Sequence, residues 1–211
     1  MRDYQVDALD GIEEGFKRHR SLLISVPTGG GKTVIFNTYA FSKGMRTLVV
    51  AHRDELIWQA LDKYVMIGGK ERETGKIIAG RIELGHYTAG SIQTIYRNIE
   101  KLEDYFRSLD LVVWDEAHHV PARTYAEVYR RIREVNPEVK MLGATATPFR
   151  ADKQNLREYF ERLAFSIGIL DLIRLGYLVP LRGRRVVLGL DLDRIAVRRD
   201  ETGNEDFSAR A

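Results

Sequence analysis

The run Ser21-Leu22-Leu23-Ile24-Ser25-Val26-Pro27-Thr28-Gly29-Gly30-Gly31-Lys32-Thr33 carries the strongest structural signal in the chain. Residues 21–26 form the apolar run of a buried strand, and the glycine-rich turn leads into a helical segment from about Lys32 to Lys43. Glycines let the backbone curl so that successive N–H groups point at phosphate oxygens, and the positive end of the following helix adds to the attraction. The segment therefore predicts a phosphate-binding loop between a strand and a helix.

Within this loop we expect Lys32 to reach the β- and γ-phosphates of a nucleotide, and the hydroxyl of Thr33 to ligate Mg²⁺. We expect the backbone N–H groups of the rest of the loop to surround the phosphates, at Thr28, Gly29, Gly30 and Gly31. The general pattern GxxxxGK[ST] asks for glycine at position 26, where this chain has Val26. The loop alone therefore leaves an alternative open, a glycine-rich turn with a solvated lysine.

Further along the chain, an apolar run ends in two acids: Leu111-Val112-Val113-Trp114-Asp115-Glu116-Ala117-His118. A carboxylate at the carboxyl end of a parallel strand faces the crevice where ligands bind in open α/β sheets. We expect Asp115 to hold Mg²⁺ and Glu116 to orient or deprotonate an attacking water. The alternative is a pair of exposed acids that open a helix. Together with the phosphate loop upstream, the two acids favour nucleotide hydrolysis.

Apolar runs alternate with amphipathic segments along most of the chain. The other predicted strands are 47–51, 76–79, 110–114 and 139–143, and the other predicted helices are 54–65 and 122–134. Strands that alternate with helices over short connections predict an α/β domain with a mainly parallel central sheet flanked by helices. We expect Trp58 and Trp114 to be core residues.

The composition excludes several classes of protein. The chain has 211 residues, of which 44% are hydrophobic and 30% charged, which is the balance of a folded domain. There is no cysteine, so disulfide scaffolds, thiolate zinc sites and cysteine nucleophiles are excluded. No apolar run approaches the ~20 residues of a membrane span, and no signal peptide is visible, so we expect a cytoplasmic protein without membrane contact. The net charge of +3 allows a nucleic-acid partner without demanding one.

An ordered series of motifs resembles the first RecA-like motor domain of a superfamily 2 helicase or translocase of the DEAH-sequence kind. In order, the matching segments are Arg2-Asp3-Tyr4-Gln5 (the Q element), 27–33 (motif I), 51–59 (Ia), 90–95 (Ib), 115–118 (II) and 145–148 (III). Motif I of these helicases commonly lacks the first glycine, which accounts for Val26. The resemblance covers residues 1 to about 150. Within the superfamily, the chain is similar to the helicase part of type III restriction subunits and to Rad25-like helicases.

The resemblance implies a RecA-like P-loop NTPase fold and a role for each motif. Gln5 would hydrogen-bond the adenine edge of ATP, with Arg2 or Tyr4 packing nearby. Thr33 and Asp115 would hold Mg²⁺. The implied catalytic set is Lys32, Asp115, Glu116 and His118.

The same resemblance implies a link to a polynucleotide. His118 and Thr145 or Thr147 would couple the state of the nucleotide to the nucleic-acid surface. Three further residues would contact nucleic-acid phosphates rather than read bases: Arg53, Gln93 and Thr94. The family favours DNA over RNA.

The implied function is that of an ATP-binding motor domain, which hydrolyses ATP with Mg²⁺ to drive unwinding or translocation when it is joined to a second RecA-like domain. Residues 1–178 would form this domain, and residues 179–211 a linker and strand segment that leads toward the second domain. We expect a monomer that binds nucleotide and turns it over slowly by itself, because such motors need charge stabilisation from the partner domain.

Three other functions stay open at this point. A duplex DNA translocase that does not separate strands would carry the same motifs. A nucleotide-gated interaction module would retain nucleotide binding without catalysis. A small-molecule kinase would share the phosphate loop but would not need Gln5 or motif III. The arginines within residues 181–199 are read as a solvated strand edge in preference to a nucleic-acid strip.

Overall fold

A computed structural model of the chain describes residues 1–147, 156–180, 195–199 and 205–209. The chain divides into two compact units, Met1–Val179 and Pro180–Ala211. The part of motif III at Pro148 and the arginines between residues 181 and 194 lie outside the described residues.

The larger unit contains seven helices in its described part. They are α1 (Asp3–Phe16), α2 (Lys32–Ser42), α3 (Asp54–Ile67), α4 (Ile92–Arg97), α5 (Glu103–Arg107), α6 (Arg123–Val135) and α7 (Ile169–Arg174). Helices α2, α3 and α6 lie where the apolar periodicity predicts them, with ends that differ by at most two residues.

Eight strands of this unit form one sheet. They are β1 (Ser21–Ser25), β2 (Thr47–Ala51), β3 (Thr74–Ile78), β4 (Arg81–Glu83), β5 (Tyr87–Ser91), β6 (Leu111–Asp115), β7 (Lys140–Thr145) and β8 (Arg162–Ser166). The order across the sheet is β4-β3-β5-β2-β6-β7-β1-β8. Every pair is parallel except β3–β4, which is antiparallel. The predicted α/β fold with a mainly parallel sheet is confirmed.

Both faces of the sheet are covered, so the central strands are apolar on both sides. On β6, Leu111 and Val113 pack into one core with α1, α2 and α3. Val112 and Trp114 point the other way, into a second core with α4, α5 and α6. Successive side chains of β6 therefore point to opposite faces of the sheet, and one continuous apolar run contributes to both hydrophobic cores.

The prediction that Trp58 is a core residue is wrong, whereas Trp114 is completely buried. The buried stripe of α3 runs through Ile57, Ala60, Leu61 and Tyr64, at helical spacing. Trp58 lies about 100° from Ile57 around the helix axis, and 46% of the residue is exposed. The Nζ atom of Lys76 lies 4.8 Å from the centroid of its ring.

The smaller unit contains an antiparallel pair of strands, β9 (Ile195–Arg199) and β10 (Glu205–Ala209). In this pair Val197 lies opposite Phe207. The assignment of residues 179–211 as a linker toward a second domain stays a prediction. Within the described part of the chain, no helix is long and apolar enough to cross a bilayer.

Candidate active site

The predicted motifs meet at one edge of the sheet because parallel strands all end on the same side. Across the sheet, the strands that precede them lie in the order β5, β2, β6, β7, β1. Motifs Ib, Ia, II, III and I therefore follow one another along this edge. Neighbouring strands are in close register here, since Thr145 pairs with Ser25 and Ala144 pairs with Asp115.

The phosphate loop leaves β1 directly beside motif III. The backbone N–H of Val26 donates to the carbonyl of Thr145 at 2.9 Å. Gly31 precedes α2 with φ +81°, in the left-handed region. A Cβ atom at this position would lie 2.6 Å from Nε2 of Gln5, so the position excludes a side chain both by conformation and by space.

The Q element (Arg2–Gln5) is hydrogen-bonded to this loop. The Arg2 N–H donates to Oε1 of Gln5 at 3.0 Å, and Nη1 of Arg2 donates to the Tyr4 hydroxyl at 3.1 Å. The Tyr4 hydroxyl donates in turn to the carbonyl of Gly30 at 2.5 Å. Tyr4 and Gln5 are both buried. The structure thus places the predicted base-binding residues against the predicted phosphate loop.

Lys32 and Glu116 approach each other between the loop and the end of β6. Nζ of Lys32 lies 3.5 Å from Oε1 of Glu116, and the side chain of Lys32 is 10% exposed. Glu116 has φ 52° and ψ 54°, a left-handed conformation that no other non-glycine residue adopts in the described part of the chain. Such backbone conformations cost of order 1–3 kcal/mol and cluster at functional sites. Here the conformation ends the strand sharply and presents the carboxylate to the phosphate loop.

Asp115 is the last residue of β6 and is 5% exposed. Its Oδ1 accepts the N–H of Glu116 at 3.0 Å. Burial, reinforced by the nearby Glu116 carboxylate and opposed by Lys32, raises the pKa of Asp115 to about 6. A buried carboxylate that its own surroundings do not neutralise suits a bound cation.

The residues at this edge fit Mg²⁺ by the chemistry of their donors. Asp115 supplies a carboxylate. The predicted second ligand, the hydroxyl of Thr33, belongs to the second residue of α2, directly after the loop. Mg²⁺ prefers oxygen ligands and is usually held by one or two carboxylates together with phosphate oxygens and water. Within the described residues no group of three or more His, Cys, Asp or Glu side chains could hold a metal ion.

His118 links motif II to motif III. Its Nδ1 lies 3.1 Å from Oγ1 of Thr145 and 3.3 Å from Oε2 of Glu116. Thr145 is completely buried, and its Oγ1 accepts the backbone N–H of Thr147 at 3.1 Å. A continuous polar chain therefore joins Glu116 and His118, which follow β6, to Thr145, the last residue of β7 and the first of motif III.

The three predicted nucleic-acid residues differ in accessibility. Arg53 directly precedes α3 and is exposed, and Gln93 in α4 is also exposed. Thr94 is 8% exposed, and its Oγ1 accepts the Ser91 hydroxyl at 2.9 Å while its N–H donates to Oγ of Ser91. The side chains of Arg53 and Gln93 are therefore accessible at the surface, whereas the Thr94 side chain helps to form the start of α4.

His52 and His119 each adjoin a motif, and sequence reasoning missed the contact between them. Their rings lie 4.8 Å apart edge to face, and the ring of His118 lies 4.2 Å from that of His119. Ring contacts thus run from His52 in motif Ia through His119 to His118 in motif II. Nδ1 of His52 and the Tyr125 hydroxyl are buried without a hydrogen-bond partner among the described residues.

Sequence reasoning also missed three residues near the phosphate loop that come from the end of the larger unit. They are Leu172, Tyr177 and Leu178. They lie in α7 and just after it, and nothing in the spacing of the sequence indicates that the chain returns to the loop there.

The fold and this arrangement of motifs define the first RecA-like motor domain of a superfamily 2 helicase. The family model described as "Type III restriction enzyme, res subunit" matches residues 1–150. The chain therefore belongs to that family.

Two curated relatives have names that point the same way. A Saccharomyces cerevisiae protein provisionally named ATP-dependent helicase IRC3 is 32% identical over 95% of this chain and 31% of its own length. The protein named DNA 3'-5' translocase XPB2 from Sulfurisphaera tokodaii is 30% identical over 72% of this chain and 32% of its own length. The chain thus spans about a third of the length of these relatives.

Two solved structures share the fold. The Hef helicase domain of Pyrococcus furiosus superposes with a TM-score of 0.67 at 20% identity, over 82% of this chain and 39% of that one. The Type ISP restriction-modification enzyme LlaGI, in complex with a DNA substrate mimic, superposes with a TM-score of 0.63 at 15% identity, over 84% of this chain and 20% of that one.

Proposed function

We propose that the chain binds ATP with Mg²⁺ at the carboxyl edge of its sheet and hydrolyses it, when joined to a second RecA-like domain, to move along or unwind DNA. The observation that carries this proposal is the chain of contacts from Lys32 through Glu116 and His118 to Thr145. It joins the predicted phosphate-binding residue, the predicted water-activating residue and motif III in one arrangement. The names of the relatives support ATP use by this family.

Each group has a distinct chemical task in this proposal. Lys32 exchanges its contact with Glu116 for the β- and γ-phosphates, because phosphate oxygens carry more charge than one carboxylate. Thr33 and Asp115 would hold the Mg²⁺, which neutralises developing charge on the phosphates. Glu116, released from Lys32, accepts a proton from the attacking water. His118 remains between Glu116 and Thr145. Loss of the γ-phosphate would therefore shift Glu116 and, through the His118 contact, Thr145 in motif III.

DNA is the proposed track. One relative is named a DNA translocase. The exposed Arg53 follows β2, which neighbours β6, and the exposed Gln93 follows β5, the next strand beyond β2. These side chains suit contact with backbone phosphates, which positions a polynucleotide without reading its sequence.

The binding half of the proposal is tested by titrating the 211-residue chain with ATP and with ADP, in the presence and absence of Mg²⁺. Lys32→Ala is the site variant. Lys43→Ala, at the other end of α2, is the matched control. We expect saturable binding that Lys32→Ala abolishes and Lys43→Ala preserves. Equal binding by the wild type and Lys32→Ala would reject the site.

A duplex DNA translocase without strand separation is the second candidate, favoured by the name of the XPB2 relative. Strand displacement and triplex displacement, measured side by side on the full-length protein, distinguish the two. Activity in both assays supports a helicase, and activity in triplex displacement alone supports a translocase. A nucleotide-gated interaction module would bind ATP and show neither activity.

A further inference from the structure

The end of the larger unit folds back onto the phosphate loop. The Gly168 N–H donates to Oδ2 of Asp171 at 3.2 Å and starts α7. After the helix, Gly176 has φ +76°, and the N–H groups of Tyr177 and Leu178 both donate to the carbonyl of Leu172, at 2.8 and 3.1 Å. This left-handed turn reverses the chain. We call residues 169–178 the strap.

The strap rests on the glycines of the loop. Leu172 is completely buried, and a Cβ atom at Gly30 would lie 3.0 Å from its Cδ1. A Cβ atom at Gly29 would lie 3.2 Å from Cδ2 of Leu178. The missing side chains of the loop thus make room for the strap as well as for phosphate.

Tyr177, which lies between Leu172 and Leu178 in the strap, contacts the Q element. Its ring lies edge to face with that of Tyr4, with centroids 5.2 Å apart. The guanidinium carbon of Arg2 lies 5.0 Å from the Tyr177 centroid. Since Nη1 of Arg2 also donates to Tyr4, and Tyr4 is fixed to Gly30, the guanidinium is held from two sides at the predicted base-binding residues.

We propose that Tyr177 is a positioning residue for the nucleotide base. A guanidinium is planar and stacks on aromatic rings through its faces. The guanidinium carbon of Arg2 lies over the Tyr177 ring, and Arg2 is only half-buried. In this proposal the side of the guanidinium away from Tyr177 stacks on the purine whose edge Gln5 would bind. This inference rests on the proposed ATP site, and it adds a residue outside the helicase motifs that determines how strongly the base contributes to binding.

The experiment compares ligands that share phosphates but differ in the base. Wild-type chain, Tyr177→Leu and Tyr177→Phe are titrated with ATP, ADP and inorganic tripolyphosphate at fixed salt and Mg²⁺. We expect Tyr177→Leu to weaken ATP and ADP binding about tenfold and to leave tripolyphosphate binding within about twofold, because only the base is affected. Tyr177→Phe keeps the ring and should retain wild-type affinities.

Two further variants complete the experiment: one controls for loss of a tyrosine contact elsewhere, and the other tests the guanidinium of Arg2. Tyr159→Leu removes another half-buried tyrosine with an edge-to-face contact, to Tyr129, before the amino end of β8. It should leave the affinities for all three ligands unchanged. Arg2→Lys keeps the charge but loses the planar face, so it should lower the preference for ATP over tripolyphosphate, and adding Tyr177→Leu should lower it no further.

Equal losses for ATP and tripolyphosphate in Tyr177→Leu would overturn the inference, since Tyr177 would then only support the phosphate loop. Unchanged ATP binding in both Tyr177→Leu and Arg2→Lys would overturn it too. The proposed function would still hold in that case, provided that Lys32→Ala abolishes ATP binding. If wild-type chain bound none of the three ligands, the proposed function and this inference would both be overturned.

Discussion

Nζ of Lys32 lies 3.5 Å from Oε1 of Glu116, so the predicted phosphate-binding cation and the predicted water-activating carboxylate compensate each other's charge. The pair is mostly shielded from water, with 10% and 23% of the two side chains exposed. A bound triphosphate would compete for the lysine and leave the carboxylate beside the γ-phosphate. Nucleotide binding and activation of Glu116 are therefore one event in this account.

The first prediction separates binding from hydrolysis. In the full-length protein, Glu116→Gln should lower ATP turnover about 10²–10⁴-fold, because the amide cannot accept the proton of water. ATP affinity should be retained or increased, since Lys32 loses its competing carboxylate. Steady-state turnover and equilibrium titration measure the two effects, with Glu127→Gln on the exposed surface of α6 as the control. Surviving turnover would show that another group activates the water.

The second prediction concerns the link between His118 and Thr145. Thr145→Val removes the hydroxyl that lies 3.1 Å from the imidazole and keeps the shape of the side chain. In the full-length protein we expect ATP affinity to change by less than about threefold, and stimulation of turnover by DNA to fall by about tenfold, a typical size for coupling between sites. Thr74→Val, the same change far from the site at the start of β3, is the control. Full stimulation in Thr145→Val would remove motif III from the coupling path.

The third prediction uses the raised pKa of Asp115. A carboxyl whose pKa rises from 3.8 in the unfolded chain to about 6 in the folded one favours folding below about pH 4, and loses that contribution as the pH rises through 6. Asp115→Asn removes the cost of burying the ionised form. Its stabilisation relative to wild type should therefore grow between pH 4 and pH 7.5, by up to about 3 kcal/mol.

Denaturant unfolding in EDTA measures this difference, with Asp62→Asn on the exposed side of α3 as the control. A constant difference between Asp115→Asn and wild type across that pH range would contradict the assigned burial cost. Added Mg²⁺ and ADP should stabilise the wild type more than Asp115→Asn, because the cation needs the carboxylate.

The fourth prediction compares two left-handed glycines. Gly31→Ala should cost about 1–2 kcal/mol of folding free energy from its backbone alone, and its Cβ would also displace the Gln5 amide, which lies 2.6 Å away. Gly44→Ala has the same type of strain at φ +58°, with nothing within 4 Å of the new atom. Both variants should lose stability, and only Gly31→Ala should lose ATP binding. Loss of ATP binding in Gly44→Ala would mean that strain alone explains the effect.

The sequence predicted the strands that carry the site because those strands are buried on both faces and read as continuous apolar runs. The strand Leu111–Asp115 and its two acids are the clearest case. Edge and polar strands gave no such signal: β5 reads Tyr-Thr-Ala-Gly-Ser and is buried throughout, whereas the short β4 is exposed throughout. Their position depends on pairing with distant strands, which local pattern does not encode.

The candidate site divides in the same way. Motif residues such as Lys32 and Glu116 could be assigned because strand–loop–helix order fixes which edge they occupy. The contacts of Tyr177 with Arg2, and of His52 with His119, join segments far apart in sequence, and only the folded chain brings them together. Thr94 matched a motif, but its side chain is used by the cap of α4.

ATP turnover by the full-length protein, measured separately with duplex DNA, single-stranded DNA and RNA, tests the central claim most directly. Salt is held fixed because contacts with phosphate weaken steeply as it rises. This account predicts turnover that DNA stimulates, that RNA stimulates less, and that Lys32→Ala and Glu116→Gln abolish. Normal Mg-ATP binding without stimulation by any of the three polymers would contradict a nucleic-acid motor and favour a nucleotide-gated module.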